Sequence, residues 1–309
     1  MKLSLRITLV GAFAAALLVL SPYSTPPAHA LVPVSEIVLN SSTIQVVHNS
    51  IPNTDVLNAS LDVTNLGDLW ATRSYVIEQM GGKPPNLLIC NSGLTEKGYA
   101  FGRALKEIPD EARAMRRARV RQHFIDSLHE SRLVLNTKID GFLAMTHLWA
   151  GEAVYHQEFL QLVYVSSRQA IDPGVSVPGY VISNWGVLQL PKMLAVNLGP
   201  NAKFVGSACI LLPFVRTSMT DQYADNPKVF GRWQPRMLEP NEAAKAFLQL
   251  LARPQAELDK GLFELMVDGA PDKVDVTWKR VELAVREEAM EWSKGGSLQF
   301  HGQRQAAKE

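Results

Sequence analysis

The sequence has few of the residues that build a disulfide scaffold, a metal site or a strongly charged surface. Its 309 residues include two cysteines, Cys90 and Cys209, and both lie in apolar, strand-like runs where a thiol behaves as a small hydrophobic group. The formal net charge of +1 gives no basis for binding nucleic acid or a strongly acidic partner. With 47% hydrophobic residues, the chain can bury the core of one elaborated α/β domain.

The apolar run near the N-terminus is short for a membrane span. Residues 1–30 contain two basic residues, an apolar run over residues 7–20 and a proline-containing end, which is the layout of a secretory signal peptide. Two Asn-x-Ser/Thr acceptors, at Asn40 and Asn58, suit a secretory route. The segment therefore predicts a signal peptide or membrane tether, and a location in the secretory pathway or at a membrane; a cytoplasmic location is the alternative.

The stretch over residues 161–217 alternates apolar runs with a helix-period segment. The first run ends at Ser167, the helical segment presents Tyr180 near its start, and the second run covers residues 204–212. A buried strand that ends in a hydroxyl, followed by a helix that presents a tyrosine, can place two hydroxyl groups over one carbonyl. Apolar strands that alternate with helices predict a mainly parallel sheet covered on both faces, which is a Rossmann-like three-layer α/β sandwich.

This stretch resembles the short-chain dehydrogenase/reductase family. That family places a lysine four residues after the tyrosine, where this chain has Asn184, and an asparagine in its central helix, where this chain has Lys138 in T-K-I-D-G-F-L. The same exchange is typical of the ketoreductase domains of modular polyketide synthases. The resemblance implies a proton relay in which Tyr180 donates the proton, Lys138 lowers its pKa, Ser167 binds the substrate oxygen and Asn184 orders the relay.

Three further segments resemble the nucleotide-binding parts of the family. Residues 61–64 (L-D-V-T) resemble the segment beside the adenine ring, residues 90–93 (C-N-S-G) the N-N-A-G turn, and residues 213–217 (P-F-V-R-T) the P-G-x-V-x-T motif without its glycine. The resemblance implies that NAD or NADP is the cofactor and that the substrate is a small carbonyl compound or alcohol. The implied cofactor-binding residues are Gly11, Asp62, Val63, Asn91, Ser92, Gly93, Pro213, Val215 and Thr217.

The glycine-rich loop of the family is degenerate in this chain. Gly11 is kept, but Ala15 and Leu17 stand where glycines allow backbone amides to approach a pyrophosphate. In a second interpretation of the N-terminus, residues 6–11 are the first Rossmann strand and a helix follows Gly11. The degenerate loop also supports a second functional hypothesis, a non-catalytic protein that has lost the nucleotide and serves in binding or interaction.

The remaining segments predict the domain limits. Residues 31–270 are expected to form the Rossmann-like domain, with a substrate lid over residues 218–236 that offers Tyr223, Phe230 and Trp233 as apolar contacts. The tail over residues 271–309 is expected to be helical over 276–292 and partly disordered after it.

A basic run over residues 113–121 has the composition of a surface helix. Such a run is most often a solvated face, although in this family the corresponding helix commonly forms a subunit interface. A homo-oligomer is therefore compatible with the sequence.

Overall fold

The architecture was derived from a computed structural model, which describes residues 4–10, 15–21, 56–59, 61–96, 113–173, 177–217, 219–220, 237–270 and 273–283. The strands are β1 (Ser4–Val10), β2 (Ala15–Ser21), β3 (Val56–Ala59), β4 (Leu87–Cys90), β5 (Leu160–Ser167), β6 (Val205–Leu212), β7 (Gly261–Ala270) and β8 (Lys273–Arg280). The α-helices are α1 (Leu66–Gln79), α2 (Arg113–Leu135), α3 (Gly141–His156), α4 (Pro178–Val187), α5 (Leu190–Leu198), α6 (Pro240–Leu251) and α7 (Gln255–Leu258). A π-helical turn, Asn136–Asp140, joins α2 to α3.

The main sheet has the strand order β4-β5-β6-β7-β8, in which β4 to β7 are parallel and β8 is antiparallel to β7. Alternate residues of each strand enter two separate cores. Cys90, Tyr164 and Cys209 form one row across the sheet and pack in a core that includes α3, whereas Val163 and Ile210 point to the opposite core. Helices therefore cover both faces, and the prediction of a three-layer α/β sandwich is confirmed.

A second, smaller sheet lies at the N-terminus, with the order β2-β1-β3. Strand β1 pairs antiparallel with β2, Ser4 opposite Ser21, and parallel with β3, Ile7 opposite Val56. Residues 15–21 are therefore a strand, whereas the Rossmann interpretation of the N-terminus expected a helix after Gly11. Pairing with β1 outweighs the helix propensity of the alanines in this segment. Gly11 itself lies outside the described residues.

One helix prediction, that for the tail, was wrong. The helical segment that presents Tyr180 forms two helices, because Pro191 occupies the first turn of α5, where its missing N–H leaves no bond unmade. The tail expected to be helical forms β8, whose Trp278 packs under α6 and donates from Nε1 to the Ala246 carbonyl at 2.8 Å. Antiparallel pairing with β7 at the edge of the sheet stabilises β8. Residues 284–309 lie outside the described part of the chain.

None of the described helices combines the length and the apolar character that crossing a lipid bilayer requires.

Candidate active site

The functional residues expected from the sequence come from segments that meet at one edge of the sheet. Because β4, β5 and β6 are parallel, their carboxyl ends deliver the turn at residues 91–93, Ser167 and residues 213–217 to the same side. In open α/β sheets this edge is where ligands bind. The strand order therefore brings these segments together at one edge of the sheet.

Ser167 and Tyr180 lie together at this edge. Ser167 is the last residue of β5 and is buried, and Tyr180 lies in the first turn of α4. Burial raises the pKa of the Tyr180 hydroxyl, and the hydrogen bond to Ser167 acts in the opposite direction. The Ser167 hydroxyl also accepts a bond from the Gln169 amide at 3.2 Å. The tyrosine is thus held against a serine whose own position is fixed by the following turn.

Lys138 is a buried cation, not a solvated helix charge. It lies in the π-helical turn and is 6% exposed, with Nζ 4.9 Å from the centroid of the Phe142 ring. Its Nζ is also 3.4 Å from the position that a Cβ on Gly93 would take. Burial lowers the pKa of Lys138 to about 8, and the nearby thiols of Cys209 and Cys90 act in the opposite direction.

No carboxylate lies within ion-pair distance of Lys138 among the residues that the structure describes. A buried ammonium without an anionic partner is costly, because it loses hydration that no countercharge replaces. This buried charge lies beside the turn at residues 91–93.

Asn184 is held rigidly behind the tyrosine. Its Nδ2 donates to the Tyr180 carbonyl at 2.8 Å, and its own carbonyl accepts from the Ser166 hydroxyl at 2.9 Å. The side-chain Oδ1 is buried and has no hydrogen-bond partner in the described part of the chain. Such an acceptor is rare in a folded protein, since leaving it unpaired costs about 1–3 kcal/mol. Asn184 therefore offers one free acceptor on the tyrosine helix itself, one turn after Tyr180.

The four residues of the expected relay are not all joined. Ser167 lies near the Tyr180 hydroxyl and Asn184 donates to the Tyr180 backbone carbonyl, but within the described ranges no hydrogen bond links Lys138 to Tyr180. Lys138 approaches Gly93 instead. The exchange of lysine and asparagine roles stays a prediction.

The residues expected at the adenine end form a small, ordered turn. Asp62 is exposed, and its Oδ1 accepts from the Thr64 hydroxyl at 2.7 Å and from the Thr64 amide at 2.9 Å. These two bonds hold the pKa of Asp62 below its usual value. Val63 is buried against Gly141, where an added Cβ would come within 2.7 Å of the valine side chain.

The residues expected nearer the reacting centre lie in two loops. In the turn after β4, Asn91 is exposed and Ser92 is buried. In the loop after β6, which starts at Pro213, Val215 pairs with Leu238 in an isolated bridge, and the Thr217 amide donates to the Thr220 hydroxyl at 2.8 Å. This bond orders the Thr217 backbone. The lid residues Tyr223, Phe230 and Trp233 lie outside the described residues.

Comparison with solved structures finds many similar folds. A short-chain type dehydrogenase/reductase from Mycobacterium marinum is 19% identical, with a TM-score of 0.54 over 73% of this chain and 80% of that chain. A 3-ketoacyl-(acyl-carrier-protein) reductase from Brucella melitensis, complexed with NADH, is 17% identical, with a TM-score of 0.53 over 73% and 82%. The chain has the fold of the short-chain dehydrogenase/reductases. A third structure, NAD+-bound xylitol dehydrogenase, is 15% identical, with a TM-score of 0.54 over 73% and 84%.

At the level of sequence, no family model and no curated protein matches the chain. The short-chain dehydrogenase/reductase fold is thus recognised by its shape, with motifs that depart from the usual pattern in several places.

One residue of the site was missed by the sequence analysis. Glu96 is buried, and its carboxylate accepts from the amides of Gly179 and Tyr180 and from the Ser131 hydroxyl. A signal for such a contact was present, because the sequence before α4 offers no Ser, Thr, Asp or Asn at the N-cap position. A helix that starts without a local cap needs acceptors from elsewhere.

Proposed function

We propose that this chain is an NAD(P)-dependent oxidoreductase that interconverts a carbonyl group and a secondary alcohol. The observation that carries the proposal is the position of the Tyr180 hydroxyl, close enough to the Ser167 side chain for that side chain to lower its pKa, at the ligand-binding edge of a short-chain dehydrogenase/reductase fold. Solved structures of this fold include NADH and NAD+ complexes, which supports a nicotinamide cofactor but does not distinguish NAD from NADP.

The residues at this edge can carry out the proton transfer that accompanies hydride transfer in such a reaction. Because burial raises the pKa of Tyr180, its hydroxyl is protonated at neutral pH and is suited to donate a proton to a carbonyl oxygen that is being reduced. Ser167 can donate a hydrogen bond to the same oxygen and hold it beside the tyrosine. The charge of Lys138 lies at the same edge of the sheet and favours the tyrosinate that remains after proton transfer. The unpaired Oδ1 of Asn184 can accept a hydrogen bond from a water molecule that carries the proton.

The same edge fits a nicotinamide cofactor at its reactive end. Gly93 has no side chain, so the backbone of the turn is open to a nucleotide. The Lys138 ammonium beside it can donate hydrogen bonds to ribose hydroxyls. Ordered backbone at Thr217 can bind the amide of the ring, and Asp62 and Val63 stand at the adenine end. The bound cofactor supplies or accepts the hydride, and these residues orient it.

The N-terminal hairpin favours a second candidate function. Strand β2 runs where the family has a helix after its glycine loop, and a helix N-terminus is the usual site for a pyrophosphate. A chain that holds no nucleotide would be a non-catalytic binding or interaction protein built on the same fold.

Nucleotide titration distinguishes the two candidates. The purified chain is titrated separately with NADH and NADPH while tryptophan emission and energy transfer to the dihydronicotinamide are followed. Saturable energy transfer with one of the two nucleotides, together with oxidation of that nucleotide by members of a ketone and aldehyde panel, supports the oxidoreductase. Absence of transfer with either nucleotide refutes it and leaves the binding protein.

A further inference from the structure

The helix that carries Tyr180 starts without the usual local contacts. Helix α4 begins at Pro178, which has no N–H, and its N-cap residue Val177 has no side-chain hydrogen bond to the first turn. The amides of Gly179 and Tyr180 are therefore left without intrahelical acceptors. The orientation of the tyrosine backbone depends on whatever satisfies these two groups.

Both amides are satisfied by one distant carboxylate. Glu96 Oε1 accepts from the Gly179 amide, and Glu96 Oε2 accepts from the Tyr180 amide at 3.2 Å. Glu96 Oε1 also accepts from the Ser131 hydroxyl of α2 at 3.0 Å. Two oxygens of one buried side chain thus fix two successive residues of α4, and each bond to a charged acceptor is stronger than a neutral one.

Close packing leaves little freedom at this junction. A Cβ on Gly179 would lie 2.6 Å from Glu96 Oε1 and 2.9 Å from Ser131 Cα, distances that real Cβ atoms do not adopt. The start of α4 therefore contacts α2 and Glu96 directly through a residue without a side chain. Movement of the carboxylate has to be followed by movement of the helix start.

Glu96 also belongs to the loop that follows β4. The same loop contains Gly93, and a Cβ at that position would lie 3.4 Å from the Lys138 ammonium. One loop therefore passes close to the buried cation at one end and holds the tyrosine backbone at the other. Within the described residues, the Glu96 carboxylate accepts hydrogen bonds from Ser131 of α2 and from Gly179 and Tyr180 at the start of α4.

We infer that Glu96 is a positioning residue for Tyr180: its carboxylate fixes the first turn of α4 and thereby sets the tyrosine hydroxyl against Ser167. The inference rests on the proposed function for its catalytic consequence, although the anchoring itself is independent of turnover. It also assigns the loop after β4 a role in coupling the nucleotide-side turn to the proton donor.

The test compares two substitutions of Glu96 with a capping glutamate elsewhere. Glu96→Ala removes both acceptors, and Glu96→Gln keeps the volume and one acceptor, so it serves if the alanine variant fails to fold. Glu242→Ala is the control, because Glu242 Oε2 accepts from the Glu239 amide at 2.8 Å at the start of α6, away from the tyrosine. Hydrogen exchange of the Gly179 and Tyr180 amides and steady-state kinetics are measured on all three variants.

We expect faster exchange at Gly179 and Tyr180 in both Glu96 variants, with the larger effect in Glu96→Ala, and unchanged exchange there in Glu242→Ala. We also expect Glu96→Ala to lower kcat by about 10²-fold with little change in KM, the size of effect that a displacement of about 1 Å has at a reacting group. Glu96→Gln should fall between Glu96→Ala and the parent chain.

Two results would overturn the inference. Unchanged exchange at Tyr180 in Glu96→Ala would show that the carboxylate does not hold the helix start. Faster exchange with an unchanged kcat would show that it holds the helix without positioning the tyrosine. If the parent chain has no turnover, the proposed function fails. The inference is then decided by hydrogen exchange at Gly179 and Tyr180 and by the ultraviolet titration of Tyr180. That titration should shift in Glu96→Ala and not in Glu242→Ala.

Discussion

Replacing Lys138 by methionine should stabilise the fold while damaging the site. The ammonium is buried without an anionic partner among the described residues, and its pKa of about 8 in the folded chain compares with an ordinary value of 10.5. At about 1.4 kcal/mol for each pKa unit, this difference corresponds to about 3 kcal/mol of unfavourable free energy while the lysine is charged. Methionine has a similar length and needs no hydration, so it removes this cost.

The sign of the pH dependence follows from which state binds the proton. Below pH 8 both folded and unfolded chains carry the charge on Lys138, and its burial cost is fully present. Between pH 8 and 10.5 the folded chain has released the proton and the unfolded chain still binds it, so the free energy of unfolding attributable to this residue rises with pH. Lys138→Met lacks this rise, and its advantage over the parent chain should disappear towards pH 10.5.

Guanidinium unfolding, followed by tryptophan emission at several values between pH 7 and pH 10.5, measures this difference. Lys203→Met is the matched control, because Lys203 also lies 4.9 Å from an aromatic ring, that of Phe204, but is exposed. The control should change stability little at any pH. A Lys138→Met variant that is less stable than the parent at pH 7, or whose difference from the parent is constant with pH, would refute the reasoning about the buried charge.

Three further predictions concern activity, assembly and processing. Tyr180→Phe should lower kcat by about two to four orders of magnitude, the usual contribution of a positioned general acid. Arg117→Ala, on the exposed face of α2, should leave kcat unchanged. A kcat of Tyr180→Phe equal to that of the parent chain would place the chemistry elsewhere. Phe124 is 56% exposed on α2, so if that face joins two copies, Phe124→Glu should reduce the mass found by light scattering, and an unchanged mass would exclude this interface. If residues 1–30 are a secretory signal, N-terminal sequencing of the exported protein should begin near Leu31; an intact Met1 would contradict it.

Much of the fold could be predicted because its signals are local. Each inner strand is a short apolar run, and a strand such as β5 is buried along its whole length, so pattern and position agree. Strand β8 was missed because an edge strand is stabilised by its neighbour β7 and by Trp278 packing under α6, neither of which is visible in a local period.

The site was predictable only in part. Ser167 and Tyr180 follow from the family motif, and the structure brings them together. The motif implied that Lys138 faces the site, and Lys138 is buried, although charged residues in helical segments are nearly always solvated. Its position beside Gly93, without a hydrogen bond to Tyr180 among the described residues, could not be read from the motif. The missing cap of α4 signals that an acceptor is needed there, but not that Glu96 supplies it, because Glu96 lies 83 positions from Gly179 and 84 from Tyr180 in the sequence.

The row of buried side chains across the sheet has a practical use. Cys90 and Cys209 lie on either side of Tyr164, and both are enclosed by the core. Burial raises the pKa of the Cys90 thiol to about 12, with the Lys138 charge acting in the opposite direction, and it raises that of Cys209 as well. Since the thiolate is the species that reacts with alkylating reagents, neither cysteine should be labelled while the sheet is intact. The two thiols are therefore built-in reporters of unfolding: their labelling rate under native conditions measures how often the central strands open, with no probe added to the chain.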